Sequence, residues 1–366
     1  MYSCESYRLP AEWEPQSAVQ LTWPHRQTDW APMLDDICDT YREMRRLIER
    51  YEPVIVVGTP DGEPSEATFR CPTNDTWARD HAFLTLVPTA KRMGDSDAET
   101  RAPLLLDFRF NGWGEKFAAD LDNAINRRLY DAGVVRGEYV DCLDFVLEGG
   151  SIESDGRGTI FTTTPCLLAP HRNQPLTKEQ IEAELKRRLC TRRIVWIDHG
   201  QLVGDDTDGH IDTLVRIAPD DTLLYVGCDD TDDEQYEELR LMEEELRQLR
   251  TLEGRPYRLL KLPMPRPIYE RGERREERGE NDEERGENEE RGERLPATYA
   301  NFLIVNGAVL VPTYAQPDLD AEACRIIGEA FPGRDIVGLD CRTIIRQHGS
   351  LHCCTMQYPA KLSIKH

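Results

Sequence analysis

Four polar clusters spread along the chain hold the residues able to do covalent chemistry. They are TNDTWARD ending at Asp80, EGGS starting at Glu148, DDTDGHID ending at Asp212 and HGSLHC ending at Cys353. Together they supply a thiol, an imidazole and several carboxylates, a set suited to a cysteine nucleophile acting on a cationic carbon centre. Cys353 is the preferred nucleophile. The thiolate is the attacking form, so it needs a cationic neighbour, a local dipole or help from the substrate. Cys354 competes on residue type alone. Neighbours on an extended segment face opposite ways, so only one of the pair enters a given site.

His210 and Asp212 stand two apart in GHID. On an extended segment they share a face and therefore a pocket. There the imidazole can move a proton near neutral pH while the carboxylate holds a cation. Asp80 has three readings: a pair with Arg79, a pair with His81, or a carboxylate aimed into a substrate pocket. Asp75 reads first as a turn or helix cap. Glu148 follows the apolar run Phe145–Leu147 and precedes Gly149-Gly150, so permissive backbone can aim it into a cleft; a strand-ending turn is the competing reading. Trp113, in FNGWGEK, can line the aliphatic part of a substrate or simply pack. The run Asp205, Asp206, Asp208 lacks the glycine and glutamate spacing of a calcium loop. The histidines show no HExxH-like spacing. No metal and no cofactor is expected.

The elements that must position these clusters alternate. Strand-like runs are Val54–Gly58, Pro103–Phe108, Arg193–Ile197, Asp221–Gly227 and Asn301–Pro312, the last read as two strands around the turn Asn306-Gly307. Helical patterns cover Cys38–Tyr51, Lys178–Leu189, Asp233–Leu252 and Asp320–Phe331, with Thr177 capping the second. This alternation favours the α/β class. There is no GxGxxG fingerprint and no P-loop; Asp155-Gly156-Arg157-Gly158 reads as a turn between strands. Glu270–Arg294 stands apart, with EERGEN twice, seven residues apart, and then EERGER. It has no apolar seam and repeated glycines, so a coiled coil fails and a disordered, charged surface insertion is expected.

Composition narrows the partners. The 366 residues, 39% of them hydrophobic, can bury a real core in one large domain or two ordinary ones. A formal charge of −23 argues against binding to nucleic acid or an anionic membrane surface. It is compatible with a small cationic substrate, and also with a salty environment. No run approaches the length of a membrane span, and the N-terminal residues are polar and mixed. Eleven cysteines without dense spacing do not make a disulfide scaffold, and a reducing cytoplasm is the simplest setting.

Seven words carry a resemblance: RLPAEWEPQSAVQLTWPH, NDTWARD, FNGWGEKF, LEGGSIESDGRGT, DDTDGHIDT, YANFLIVNGAVLVP and GSLHCCTMQ. In this order, from near Leu9 to Pro359, they resemble the agmatine deiminase branch of the guanidine-modifying enzymes, grouped with bacterial-type peptidylarginine deiminases. The resemblance implies one catalytic domain, a five-bladed α/β propeller of pseudo-fivefold ββαβ units, and a homo-oligomer. It implies Cys353 as nucleophile, His210 as proton-transfer residue and Asp80 with Asp212 as a guanidinium clamp. Glu148 would orient the group and assist proton handling, while Trp113 and Asp206 would recognise the distal part of the substrate. The implied reaction converts agmatine to N-carbamoylputrescine and ammonia through a covalent thiouronium. Deimination of free arginine or peptidylarginine and amidino transfer stay open, since Arg79, Arg109 or Arg172 could hold a carboxylate. A noncatalytic binding protein for polyamines or basic peptides is the reading of another class.

Overall fold

The computed structural model describes residues 2–60, 67–89, 101–270, 292–360 and 362–364. Among them one connectivity occurs five times: an antiparallel strand pair, a helix, and a third strand parallel to the second. Parallel neighbours cannot be joined by a hairpin, so each pair needs a crossover, and a helix supplies it. One unit runs Leu84–Pro88, Leu104–Arg109, a helix over Ile125–Asp131 and Glu138–Val146. The next runs Glu153–Ser154, Thr159–Thr163, a helix over Lys178–Arg188 and Arg193–Ile197. A third contains Val215–Ala218, Thr222–Val226, a helix over Tyr236–Gln248 and Arg258–Leu262. A fourth contains Leu303–Val305, Ala308–Thr313, a helix over Pro317–Ala330 and Asp335–Asp340. The remaining unit joins the two ends of the chain. Gln16–Thr22, a helix over Leu34–Ile48 and Val54–Gly58 take the C-terminal strand Thr355–Pro359 as antiparallel partner. The molecule is mixed α/β, as expected.

Local signals explain many of these elements. Leu303 pairs with Leu310 across Asn306-Gly307, and Gly307 takes the positive φ the tight turn requires. The helix at Lys178 opens on a capping box formed by Thr177 and Gln180. All four expected helices are present; the first starts earlier than expected, at Leu34 rather than Cys38. Several strands were not among the expected runs, three of them with polar residues along their length. Glu138–Val146 has charged residues along its length, while Gln16–Thr22 and Thr355–Pro359 bury Gln20, Thr22 and Thr355. A strand with polar residues turned inward breaks the hydrophobic period used to find it.

Both strands of the Asn306-Gly307 hairpin are buried over almost their whole length, and Ile37, Tyr41, Met44 and Ile48 seal the inner face of the first helix. Among the described residues no helix is long and apolar enough to cross a membrane. The expected insertion lies outside the described residues over 271–291. Its C-terminal boundary is corrected by the structure: Arg294 bridges to Tyr269 and is buried against Asp233 at 2.9 Å, so it belongs to the folded body.

Candidate active site

Each unit delivers polar side chains from the segment just ahead of its first strand. Asp80 lies in a one-turn helix, Ala78–His81, before Leu84–Pro88. Glu148 precedes Glu153–Ser154, and His210 and Asp212 precede Val215–Ala218. Asn301 precedes Leu303–Val305, and Cys353 precedes Thr355–Pro359. All six residues are buried. A cavity of about 160 Å³ opens on this group, lined by Asp80, Trp113, Asp206 and Cys353 together with Asp29, Asp75, Trp77, Phe117 and His348.

Cys353 Sγ lies 3.4 Å from Asn301 Oδ1 and 3.8 Å from Asp212 Oδ2. Cys354 points away, to Tyr41 in the core. Asp80 pairs with neither Arg79 nor His81, which bind Glu12 and Thr22. It accepts instead from Gly150 N–H and from Trp113 Nε1, both at 3.0 Å, and lies 3.7 Å from His210 Nδ1. Gly150 has to be glycine for this convergence. A Cβ there would sit 2.6 Å from His210 Nδ1 and 2.9 Å from Asp80 Oδ1. Trp113 reaches Asp80 from a left-handed run in which Gly112, Trp113 and Gly114 all have positive φ. It is buried and also lines the cavity.

The extended reading of GHID is corrected. His210 caps a 3-10 turn over Ile211–Thr213 that contains Asp212. The turn is held by Thr207 Oγ1 accepting from His210 N–H and by Thr213 Oγ1 donating to the His210 carbonyl. Both side chains still reach the site. Asp205 is consumed by the same loop, accepting from Thr207 and Gly209 N–H groups. Asp206 lies at the cavity wall, 3.9 Å from His348 Nδ1. Glu148 is held by Arg172 Nε at 3.1 Å, and Arg172 also bonds Asp208 at 2.6 Å. Asp75 does not cap the helix over Ala78–His81; it accepts from Thr76 N–H and Trp77 Nε1 and faces the cavity.

The carboxylates set the electrostatics. Burial, with the Asp212 and Asp80 carboxylates, pushes the Cys353 thiol well above its ordinary range. A cation placed between those carboxylates and the sulfur reverses that bias. Burial raises Asp80 to about 6, opposed by His210 and reinforced by Asp212 and Glu148. Burial works against charge on His210, but Asp80, Cys166 and Glu148 outweigh it and hold the imidazole well above its usual value. Burial also opposes ionised Asp212, yet the hydrogen bond from His352 and the charge of His210 keep it below the ordinary carboxylate range.

Among the described residues two groups of three come close enough to share a metal: Glu148, Cys166 and His210, and Glu12, Glu153 and His352. Arginines already occupy the carboxylates, Arg172 in the first group and Arg216 in the second. Sequence reasoning missed Asn301, whose Oδ1 accepts from the N–H groups of His352 and Cys353. Its signal was its place, directly ahead of the hairpin strand, the slot that Cys353 occupies in its own unit. Glu12 and Asp29 were missed as well.

Curated relatives include the agmatine deiminase of Stutzerimonas stutzeri, 33% identical over 373 residues, with 97% of this chain and 96% of that protein covered. A solved structure of a cysteine-to-serine variant of C. jejuni agmatine deiminase with substrate bound is 34% identical, with a TM-score of 0.81 and 96% of both chains covered. A Porphyromonas gingivalis structure, solved as an arginine deiminase candidate, is 45% identical, with a TM-score of 0.83 and 98% of this chain and 100% of that one covered. The model of the Porphyromonas-type peptidyl-arginine deiminases matches residues 8–359, and the chain belongs to that family.

Proposed function

We propose that this protein is an agmatine deiminase, hydrolysing the guanidinium group of agmatine to N-carbamoylputrescine and ammonia. The observation that carries this reading is the cavity wall. Asp29, Asp75, Asp80 and Asp206 face it beside Cys353, and among the described residues lining it there is no arginine or lysine. A dication with a guanidinium at one end and an ammonium at the other matches that wall. The α-carboxylate of free arginine would enter it unpaired, at a cost that discriminates strongly. Arg79 and Arg172 are already bound to Glu12 and Glu148, and Arg109 is exposed and off the wall.

In this reading Asp80 and Asp212 clamp the guanidinium and fix its plane. The substrate cation offsets the charge that holds the proton on Cys353; that proton passes to solvent, and the thiolate attacks the guanidinium carbon. His210 gives a proton to the departing nitrogen, ammonia leaves, and a thiouronium links substrate to sulfur. His210, now neutral, takes a proton from water, whose oxygen attacks the same carbon; the carbon–sulfur bond then breaks, and the remaining hydroxyl proton returns to the departing sulfur, leaving the ureido product and the thiol. Glu148 supports His210, and Trp113 and Asp206 contact the distal chain and ammonium. No oxidation state changes, so no redox cofactor is required. The five ββαβ units are inferred to stand as five blades around this site, which would bring their equivalent entry segments to one axis. The same reading includes a single catalytic domain, a homo-oligomer and a reducing cytoplasm, where a catalytic thiol survives.

Gly150→Ala tests the convergence. The added methyl group must displace His210 or Asp80, so kcat/KM for agmatine is expected to fall by about 10²-fold with little change in Tm. A variant as active as the parent would show that the two side chains need not meet there.

The function itself is tested by incubating the purified protein separately with agmatine, free arginine and an arginine-containing peptide, reading ammonia and product mass. Ammonia and the ureido product from agmatine alone are expected. Turnover of either other substrate in preference to agmatine would overturn the substrate assignment while keeping the chemistry, and inactivity on all three would favour a binding role.

A further inference from the structure

His352 takes no part in the chemistry above, although it stands in the same HGSLHC word as Cys353. It is fully buried. Its Nδ1 lies 2.7 Å from Asp212 Oδ2. Its Nε2 lies 2.9 and 3.0 Å from the two carboxylate oxygens of Glu12, and 3.1 Å from Arg216 Nη2. Glu12 comes from the N-terminal segment, far along the chain from its partner. It is itself held by Arg79 at 2.9 Å and Arg216 at 2.6 Å. Arg216 is fixed further by Glu153 and by the carbonyls of Ala300 and Phe302. The imidazole is therefore faced from four elements by Asp212, Glu12, Arg216 and Arg79, and it cannot turn without breaking several of these contacts.

Asp212 is asymmetric. Its Oδ2 is taken by His352, while its Oδ1 is buried without a hydrogen-bond partner among the described residues. A buried carboxylate oxygen left in that state is costly unless something else meets it. A guanidinium bound beside Cys353 would supply the missing donor. An ionised carboxylate only accepts, so the Nδ1 facing it must carry the proton whatever the state of Nε2.

We propose that His352, backed by Glu12, is a positioning residue: its Nδ1–H holds Asp212 Oδ2 and turns Oδ1 towards the substrate guanidinium. This rests on the guanidine reading of the site. The arrangement has the logic of a carboxylate–imidazole pair in which one member orients the other, here with the carboxylate as the working group. Burial and the guanidiniums of Arg216 and Arg79 lower the proton affinity of the ring against Glu12 and Asp212. Nδ1 donates to Asp212, while Nε2 lies between the Glu12 carboxylate and the Arg216 guanidinium.

Two substitutions separate orientation from bulk. In His352→Asn the side-chain amide falls near the position of Nδ1 and can donate to Asp212. In His352→Gln it falls near Nε2 and faces Glu12. His352→Gln is expected to lower kcat/KM for agmatine by about 10²-fold, and to move the acid limb of the kcat/KM profile to higher pH, because Asp212 loses the donor that keeps it ionised. His352→Asn is expected to stay within about tenfold of the parent with the limb unmoved. Equal losses in the two variants, or losses that follow Tm with the limb in place, would overturn the proposal. A measurement on the protein without either substitution backs the kinetics: the Nδ1 proton of His352 should resonate far downfield in the NMR spectrum, and that signal should vanish in Asp212→Asn. Persistence of the signal in that variant would also overturn the proposal. If the parent protein turns over agmatine, failure of these tests removes the positioning role alone; if it turns over no guanidine, the reading beneath it goes too.

Discussion

Cys353→Ser is expected to lower agmatine turnover by about 10⁴-fold or more while agmatine still binds. The hydroxyl is far less acidic than the thiol and cannot be ionised by the substrate charge that serves Cys353. The two side chains are nearly the same size, and the thiol's closest polar contacts are Asn301 Oδ1 and Asp212 Oδ2. A serine hydroxyl can donate to either, so the fold has no reason to change. The clamp carboxylates are untouched, and calorimetric titration should still record agmatine binding. Mass spectrometry of the parent protein, quenched during turnover, should show a covalent adduct that the variant lacks. Near-normal turnover by the serine variant would remove Cys353 as the nucleophile.

Asp80→Asn is the second large loss. Removing one charge from a buried ion pair costs about 3–5 kcal/mol, which corresponds to about 10²–10⁴ in kcat/KM. Asparagine keeps one acceptor oxygen, so it can hold either Gly150 N–H or Trp113 Nε1 but not both, and a fall in kcat/KM should come with a smaller fall in Tm. The parent protein offers an independent check through pH. Burial raises Asp80 to about 6, and below that value the carboxyl is neutral and no longer attracts a guanidinium. The kcat/KM for agmatine should therefore fall as pH drops through 6 and level off above it, since this ratio reports groups of the free enzyme. The imidazole of His210 is held high by the same cluster, so loss of its proton belongs to the alkaline side of the profile. A profile without an acid limb near 6 would remove Asp80 from the clamp.

Much of the architecture was legible because its signals are local. The Val54–Gly58 and Arg193–Ile197 runs are strands with the expected bounds, and the Asn306-Gly307 hairpin and the Thr177 cap are present. Strands with buried polar residues, such as Gln16–Thr22, were hidden because their inward side chains, Gln20 bonded to Tyr358 and Thr22 to His81, break the apolar period. The GHID word shows the same limit. An extended segment would put His210 and Asp212 on one face, but capping by Thr207 and Thr213 folds the segment into a turn that presents both by another route.

The sequence by itself determined the chemistry that is possible: a thiol with a histidine and carboxylates, on an acidic chain without a nucleotide fingerprint, in words that resemble guanidine-modifying enzymes. Only the tertiary structure decided which groups act on which. It spent Arg79 and Arg172 on Glu12 and Glu148, set Asn301 against Cys353, and brought Glu12 to His352 across 340 residues of chain. Periodicity and turn chemistry act over a few residues, so a sequence displays them directly. The state of a buried charge depends on the nearest opposite charge through space, and strand pairing between distant segments chooses that neighbour.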